Sequence, residues 1–251
     1  MTTSSSVAEV GRHLGAVNVV RVKVAVVGGG VAGLGAAVAL ARRGHPVTVF
    51  ERDDTPMPQS ADEAFDWDRR GAPQVRHSHA FLARLVGLLK SDYADIYQQL
   101  LDEGATEMPF GVDLPPTMTN FQRLPADDEL AMLACRRTTF EWVLRRAALA
   151  EGRVALRTGI AVAGLTAEPA GEARFGPPHV TGVRLSDGTV AAFDLVVVAT
   201  GRRSALPEWL REIGCTPVDD EVDDTGIVYF SRFYRLCDAA EYPPRTIDRS
   251  G

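Results

Sequence analysis

The sequence predicts an α/β fold with a parallel sheet, on three observations. Residues 22–52 read as a strand, a glycine turn, a helix and a second strand. A later hairpin pattern runs into the valine-rich stretch DLVVVATG, which has the continuous apolar character of a strand covered on both faces. Between the two lie segments with helical spacing.

The first unit carries the chemistry. Val24, Val26 and Val27 form the apolar run of a buried strand, and the turn GGGVAG follows it. In a Rossmann-like βαβ unit each glycine of GxGxxG has a steric task. Gly28 permits the tight turn, Gly30 lets the backbone approach a pyrophosphate, and Gly33 lets the helix pack close to the sheet. Unpaired N–H groups at the helix start favour an anion there. Leu34, Val38 and Ala41 give the helix an apolar stripe, Gly44 stops it, and Pro46 lies beyond. HPVTVFER is the second strand. Its Glu51 stands close to the position, roughly 20 residues past the last glycine, at which an acid accepts ribose hydroxyls. A carboxylate there repels a 2′-phosphate, which disfavours NADP at this site.

From Asp53 to Asp68 two prolines and six acids suggest a surface excursion with a solvated acidic face. Phe81, Leu82, Leu85, Val86 and Leu89 have helical spacing, and a further helix over about Tyr93 to Leu101 ends near Gly104. Met108 to Pro125 shows no clear period. A helix starts just after Arg137, with Thr138 and Glu141 in a capping-box relation and Phe140, Val143, Leu144 and Ala147 as its stripe. RVALRTGIAVAGLTAE reads as strand and turn, and Asp187-Gly188 closes a hairpin whose second arm continues into DLVVVATG as a buried parallel strand. Pro207 opens a helix that Gly214 stops, and GIVYFSRFYRL alternates as a strand. The expected organisation is a disordered tail over 1–20, a dinucleotide-binding domain with inserted helices and a hairpin over 21–215, and the start of a second domain over 216–251.

Of the 251 residues 45% are hydrophobic, enough for a sizeable core. A net charge of −6 without any basic block argues against nucleic acid or an anionic membrane surface as a partner. Cys135, Cys215 and Cys237 lack metal-ligand or CxxC spacing, so they fit reduced thiols and no metal site is expected. Residues 1–20 hold no continuous apolar core of a signal peptide, and no run approaches the ~20 residues that span a bilayer. The expected location is cytoplasmic.

Two more motifs sharpen the reading. Ala199, Thr200 and Gly201 end a strand and are followed by Arg202, Arg203 and Ser204, while RRTTFEWVL places an arginine before a hydrophobic residue and an acid, here Arg137, Phe140 and Glu141. With APQVRHSHAFLARL and GGGVAG, these give a chain that over residues 20–236 resembles the para-hydroxybenzoate-hydroxylase-like FAD-dependent oxidoreductases and monooxygenases. A bacterial branch with geranylgeranyl-reductase-like members is the most similar. The resemblance implies FAD as cofactor, with Gly28, Gly30 and Gly33 at its pyrophosphate and Glu51 at the adenosine ribose. It places Arg137 at the phosphate or ribose side and Gly201 at the flavin edge, and it adds Arg52 and Arg76 to the cofactor-binding set. His77 or His79 would approach the isoalloxazine. The plainer alternatives are a surface arginine for Arg137 and ordinary hydrogen-bonded loop histidines. Trp67, Trp142 and Trp209 read as packing residues, without the WxW spacing of flavin-dependent halogenases.

The activity implied by the resemblance is that of a monooxygenase, hydroxylating or epoxidising a small organic substrate through a flavin C4a-hydroperoxide, with NAD(P)H as candidate electron donor and no assigned catalytic side chain. Three alternatives stand beside it. An isoprenoid double-bond reductase keeps the fold; an NAD-linked dehydrogenase shares GGGVAG and Glu51 but leaves the ATG strand and Arg137 unexplained; the third is a catalytically incomplete FAD-binding fragment. The last arises because the family's third motif is a Gly-Asp and no such dipeptide occurs in this sequence. The expectation is therefore an incomplete β-rich substrate domain, completed by a further polypeptide or a homo-oligomer.

Overall fold

The computed structural model of the chain describes residues 20–77, 79–111, 117, 120–168, 177–216, 219, 221–232, 234 and 237. The chain begins with strand β1 (Val24–Val27), helix α1 (Val31–Arg42) and strand β2 (Val47–Glu51). Gly44, at φ +94°, takes the chain out of α1 and back towards the sheet. Two short 3₁₀ turns (Glu63–Asp66, Pro73–Arg76) lead to β3 (Ala80–Phe81), α2 (Ala83–Asp92), α3 (Ala94–Asp102) and β4 (Thr106–Pro109). A third 3₁₀ turn, Pro125–Glu129, precedes β5 (Ala131–Ala134), α4 (Arg137–Ala150) and β6 (Val154–Thr158). Then come β7 (Val162–Glu168), β8 (His179–Leu185), β9 (Val190–Ala192), β10 (Leu195–Val198) and α5 (Leu206–Glu212).

The strands form three sheets. The first is wholly parallel, in the order β10-β1-β2-β6. Strand periodicity sends Val24, Val26, Val47 and Val49 to one face, where they meet Ala37 and Ala41 of α1. Ala25, Val27 and Phe50 point the other way, onto Leu165, Val183 and Leu185 of the antiparallel meander β7-β8-β9 and onto Trp209 of α5. Cover on both faces is why these strands read as unbroken apolar runs. Leu34 and Val38 on the outer side of α1 join α2, α3, α4 and β5 in the largest core cluster.

Several expectations are corrected. The excursion after β2 is not all solvated, because Asp53 and Trp67 are buried. Phe81 lies in a strand, not a helix, and β3-β5-β4 is an antiparallel sheet that no periodicity announced. DLVVVATG does supply a parallel strand, but β10 is the sheet edge and only half-buried. The N-cap of α4 is Arg136 with no side-chain cap, so the Thr138–Glu141 capping box is absent; Glu141 instead turns inward to buried arginines. Among the described residues of 226–236 none lies in a strand, and Ile227, Val228, Tyr229 and Phe230 are exposed. Among the described residues no strand pairs with them, and a lone strand is not stable in water. The tail expected over 1–20 lies, except for Val20, outside the described residues.

Candidate functional site

Of the three motif glycines at the turn from β1 into α1, Gly28 and Gly33 shape the turn and Gly30 is left open. Gly28 takes φ +108°, and a Cβ there would lie 2.6 Å from the carbonyl oxygen of Ala199 just after β10. A Cβ on Gly33 would lie 1.8 Å from the Gly28 carbonyl oxygen, so the first turn of α1 can seat on the glycine turn only without one. Gly30 differs. It has an ordinary extended φ of −83°, and nothing lies within 4 Å of a Cβ built on it. The fold therefore needs Gly28 and Gly33, while Gly30 faces open space.

That space is a groove of about 580 Å³ at the carboxyl ends of β1, β2 and β10. Strand order reverses at β1, with β2 and β6 on one side and β10 on the other, which is where open parallel sheets form a ligand crevice. Gly28, Gly30, Glu51, Arg52, Arg137 and Gly201 all line it, as do Thr200 and Arg203 from the motif that follows β10, to neither of which the sequence assigned a contact of its own. Gly33 sits beneath, against Gly28. Arg76 is not in the groove: it lies with His77 and His79 along an adjoining cavity that meets the groove at Arg137. The 3₁₀ turn Pro73–Arg76 presents Gln74 to the groove and Arg76 to the other side.

Beneath the glycine turn lies a network of buried charge. Glu51, 7% exposed, accepts the Gly29 N–H at 2.9 Å and the Asp53 N–H at 3.0 Å, and pairs with Arg69 at 3.1 Å. Burial pushes its carboxyl up, but the Asp53 N–H, the Arg69 charge and the Gly29 N–H together outweigh burial and hold it below the usual carboxylate range. Arg69 also donates to Glu141 at 2.7 Å and reaches Asp53 at 3.4 Å. Glu141, fully buried, pairs through its other oxygen with Arg137 at 2.8 Å. Arg145 donates to the Gly29 carbonyl at 3.2 Å, while its Nε has no partner among the described residues. Its guanidinium and that of Arg69 lie 4.8 and 5.0 Å from the centre of the Trp67 ring. Burial and the Arg69 charge depress the Arg145 pKa, against the pull of Glu141, Glu51 and Asp53.

Three arginines and three carboxylates thus clamp the turn from below. Only Glu51 and Arg137 were singled out for the site from sequence. Arg137, Glu141 and Arg145 recur every fourth residue, one face of α4, and that charged stripe beside the apolar Phe140, Val143, Leu144 and Ala147 was the available signal. Among the described residues no group of side chains could hold a metal, and no helix is long and apolar enough to cross a membrane.

An anionic dinucleotide suits this arrangement. The first N–H groups of α1 have no carbonyl one turn back, Arg52, Arg137 and Arg203 line the walls, and Gly30 leaves room for close approach. Fold and site together define a Rossmann-like dinucleotide-binding unit of the FAD-binding type. Residues 23–110 match the FAD dependent oxidoreductase (DAO) family. The chain is 30% identical over 226 residues to Protein Rv3254 of Mycobacterium tuberculosis (strain ATCC 25618 / H37Rv), an alignment covering 85% of this chain and 45% of that protein. Its fold is similar to PqsL, a probable FAD-dependent monooxygenase from Pseudomonas aeruginosa, at 16% identity and a TM-score of 0.53, over 80% of this chain and 47% of that one. It is also similar to PyrE3, a Diels-Alderase of pyrroindomycin biosynthesis, at 23% identity and a TM-score of 0.50, over 74% of this chain and 34% of that one. The chain spans less than half the length of each of these proteins.

Proposed function

We propose that the chain binds FAD in the groove at the β1–α1 turn and serves an FAD-dependent monooxygenase acting on a small organic substrate. The observation that carries the cofactor assignment is the contrast among the glycines: Gly28 and Gly33 are required by packing, whereas Gly30 is bare towards the groove. The match over residues 23–110 and the fold shared with PqsL support the oxidoreductase and monooxygenase parts. FAD when bound supplies the redox chemistry. The chain's own residues bind and orient it: the N-terminus of α1 and Gly30 take the pyrophosphate, Glu51 the adenosine ribose, Arg52 and Arg137 add positive charge, and Gly201 borders the flavin end.

Fluorescence titration with FAD tests the assignment, with NAD as the competing ligand. Saturable FAD binding that NAD does not displace is expected; binding of NAD with none of FAD would overturn the reading. The oxygenase part is tested by turnover of candidate substrates under ¹⁸O₂ with NAD(P)H as donor. Label in the product supports it, and reduced, unlabelled product favours the double-bond reductase.

Arg137→Gln is expected to weaken FAD by about tenfold, the size of one charge-assisted hydrogen bond, and to flatten the salt dependence of binding. Affinity and salt response equal to the parent's would make Arg137 only a partner of Glu141. Glu51→Gln keeps the volume but removes the charge, and a loss of about 1–3 kcal/mol in FAD binding is expected in the same titration.

A further inference from the structure

Helix α4 carries Arg137, Glu141 and Arg145 on the face towards the glycine turn, and the last of them stands apart. Arg137 and Arg69 both pair with Glu141, whereas Arg145, 2% exposed, makes no ion pair among the described residues. A guanidinium taken out of water without such a partner is costly to keep. Burial and the neighbouring Arg69 both work against its charge. Its Nε has no partner among the described residues, and its one hydrogen bond among them goes from Nη2 to the Gly29 carbonyl at 3.2 Å. The Trp67 ring, 4.8 Å away at its centre, supplies the remaining cover.

What Arg145 holds is a peptide unit. The Gly29 carbonyl also takes Arg69 Nη2 at 3.4 Å, and the Gly29 N–H donates to Glu51 at 2.9 Å, so the backbone is tied on both sides of the Gly29 Cα. A peptide unit between two glycines meets no Cβ on either side and turns over at little steric cost unless it is held. Turned over, the Gly29–Gly30 unit would present a carbonyl oxygen to the groove and repel a phosphate. In a planar trans peptide the N–H points opposite to the C=O. With the Gly29 carbonyl drawn down onto two buried arginines, the Gly30 N–H faces the groove that Gly30 lines.

We propose that Arg145 is a positioning residue: holding the Gly29 carbonyl from below, it keeps the Gly30 N–H aimed into the groove for a diphosphate. Arg145 does not line the groove and acts only through the backbone. The proposal rests on reading the groove as the FAD site and adds the residue that keeps its anion donor in place.

The test follows the backbone NMR signal of Gly30 in the full chain, with inorganic pyrophosphate, FAD and adenosine as probes. The Gly30 nitrogen shares a peptide unit with the Gly29 carbonyl, so its signal reports a donor lost from that oxygen. Arg145→Met removes the donor and keeps cover on Trp67. Arg145→Lys keeps the charge and carries the test if the methionine chain does not fold. Arg146→Met is the control, since Arg146 pairs with Glu103 away from the groove.

Pyrophosphate is expected to bind the parent saturably and to shift its Gly30 signal. In both Arg145 variants the ligand-free Gly30 signal moves. In Arg145→Met pyrophosphate and FAD bind about tenfold more weakly, while adenosine binds as in the parent. Arg146→Met matches the parent throughout. A parent Gly30 signal that pyrophosphate leaves in place overturns the proposal. So does an unmoved ligand-free Gly30 signal in either folded Arg145 variant, or parent-like pyrophosphate affinity in folded Arg145→Met. Equal losses for adenosine and pyrophosphate, or the same losses in Arg146→Met, overturn it too, because the effect then belongs to the whole site and not to one peptide unit. Since pyrophosphate is measured without FAD, a parent that takes pyrophosphate at Gly30 but no FAD defeats the cofactor assignment and leaves the role of Arg145 standing.

Discussion

Replacing Arg69 with methionine is expected to cost about 3–5 kcal/mol of folding stability, the range for removing one partner of a buried ion pair. Arg69 faces Glu51, Asp53 and Glu141, its side chain is 3% exposed, and none of those carboxylates has free access to water. Methionine restores much of the packing on Trp67, so the loss reports charge and not volume. The pH dependence separates the two. In the parent the Glu51 pKa is depressed, so its contribution is present above the ordinary carboxylate value of about 4.3 and is lost as pH falls through the lower folded value. Without Arg69, burial weighs more heavily on Glu51 and raises its folded-state pKa; the penalty is then largest at neutral pH and is relieved as the carboxylate takes up a proton. Urea unfolding should therefore show a deficit that narrows from pH 7.5 to pH 5. A deficit of the same size at both would show that Arg69 acts through packing on Trp67.

That network also shows where sequence reasoning reaches and where it stops. The β1–α1–β2 unit was legible because its determinants are local: the valine run, the glycine turn and Glu51 all lie within one short stretch and each has one steric reason to be there. The hairpin β8–β9 was legible for the same reason, with Gly188 at φ +88° and Asp187 accepting the Thr189 N–H. Sheet β3-β5-β4 was not, since Ala80–Phe81 is too short to show a period and is a strand only through pairing with Leu133 and Ala134. Glu141 was legible as an acid near a helix start and was assigned to a cap. What decides its place is Arg69, 72 positions away in sequence, and no local rule sees across that distance. The side on which Arg76 lies was not legible either: proximity in sequence to Gln74, which reaches the groove, says nothing about which side of a 3₁₀ turn a residue faces.

The glycines of the turn allow the cofactor assignment to be tested apart from stability. Gly30→Val places a side chain into open space from an extended backbone that valine adopts readily, so the fold should survive with a cost of about 1 kcal/mol, chiefly from a poorer N-cap. The same side chain stands between the N–H groups of α1 and any pyrophosphate. Losing two charge-assisted hydrogen bonds corresponds to a fall in FAD affinity of about 100-fold or more. Gly33→Ala is the converse. Its Cβ would fall 1.8 Å from the Gly28 carbonyl oxygen, which belongs to backbone that Ala199 already confines, so α1 must move off the sheet. That overpacking is expected to cost about 3 kcal/mol, and FAD binding should fall with it because the turn itself is displaced. Flavin titration and urea unfolding on both variants thus predict different pairs of outcomes: binding lost with the fold kept for Gly30→Val, both lost for Gly33→Ala. Parent-like FAD affinity in a folded Gly30→Val chain would place the pyrophosphate somewhere other than this turn, and the groove would need another ligand.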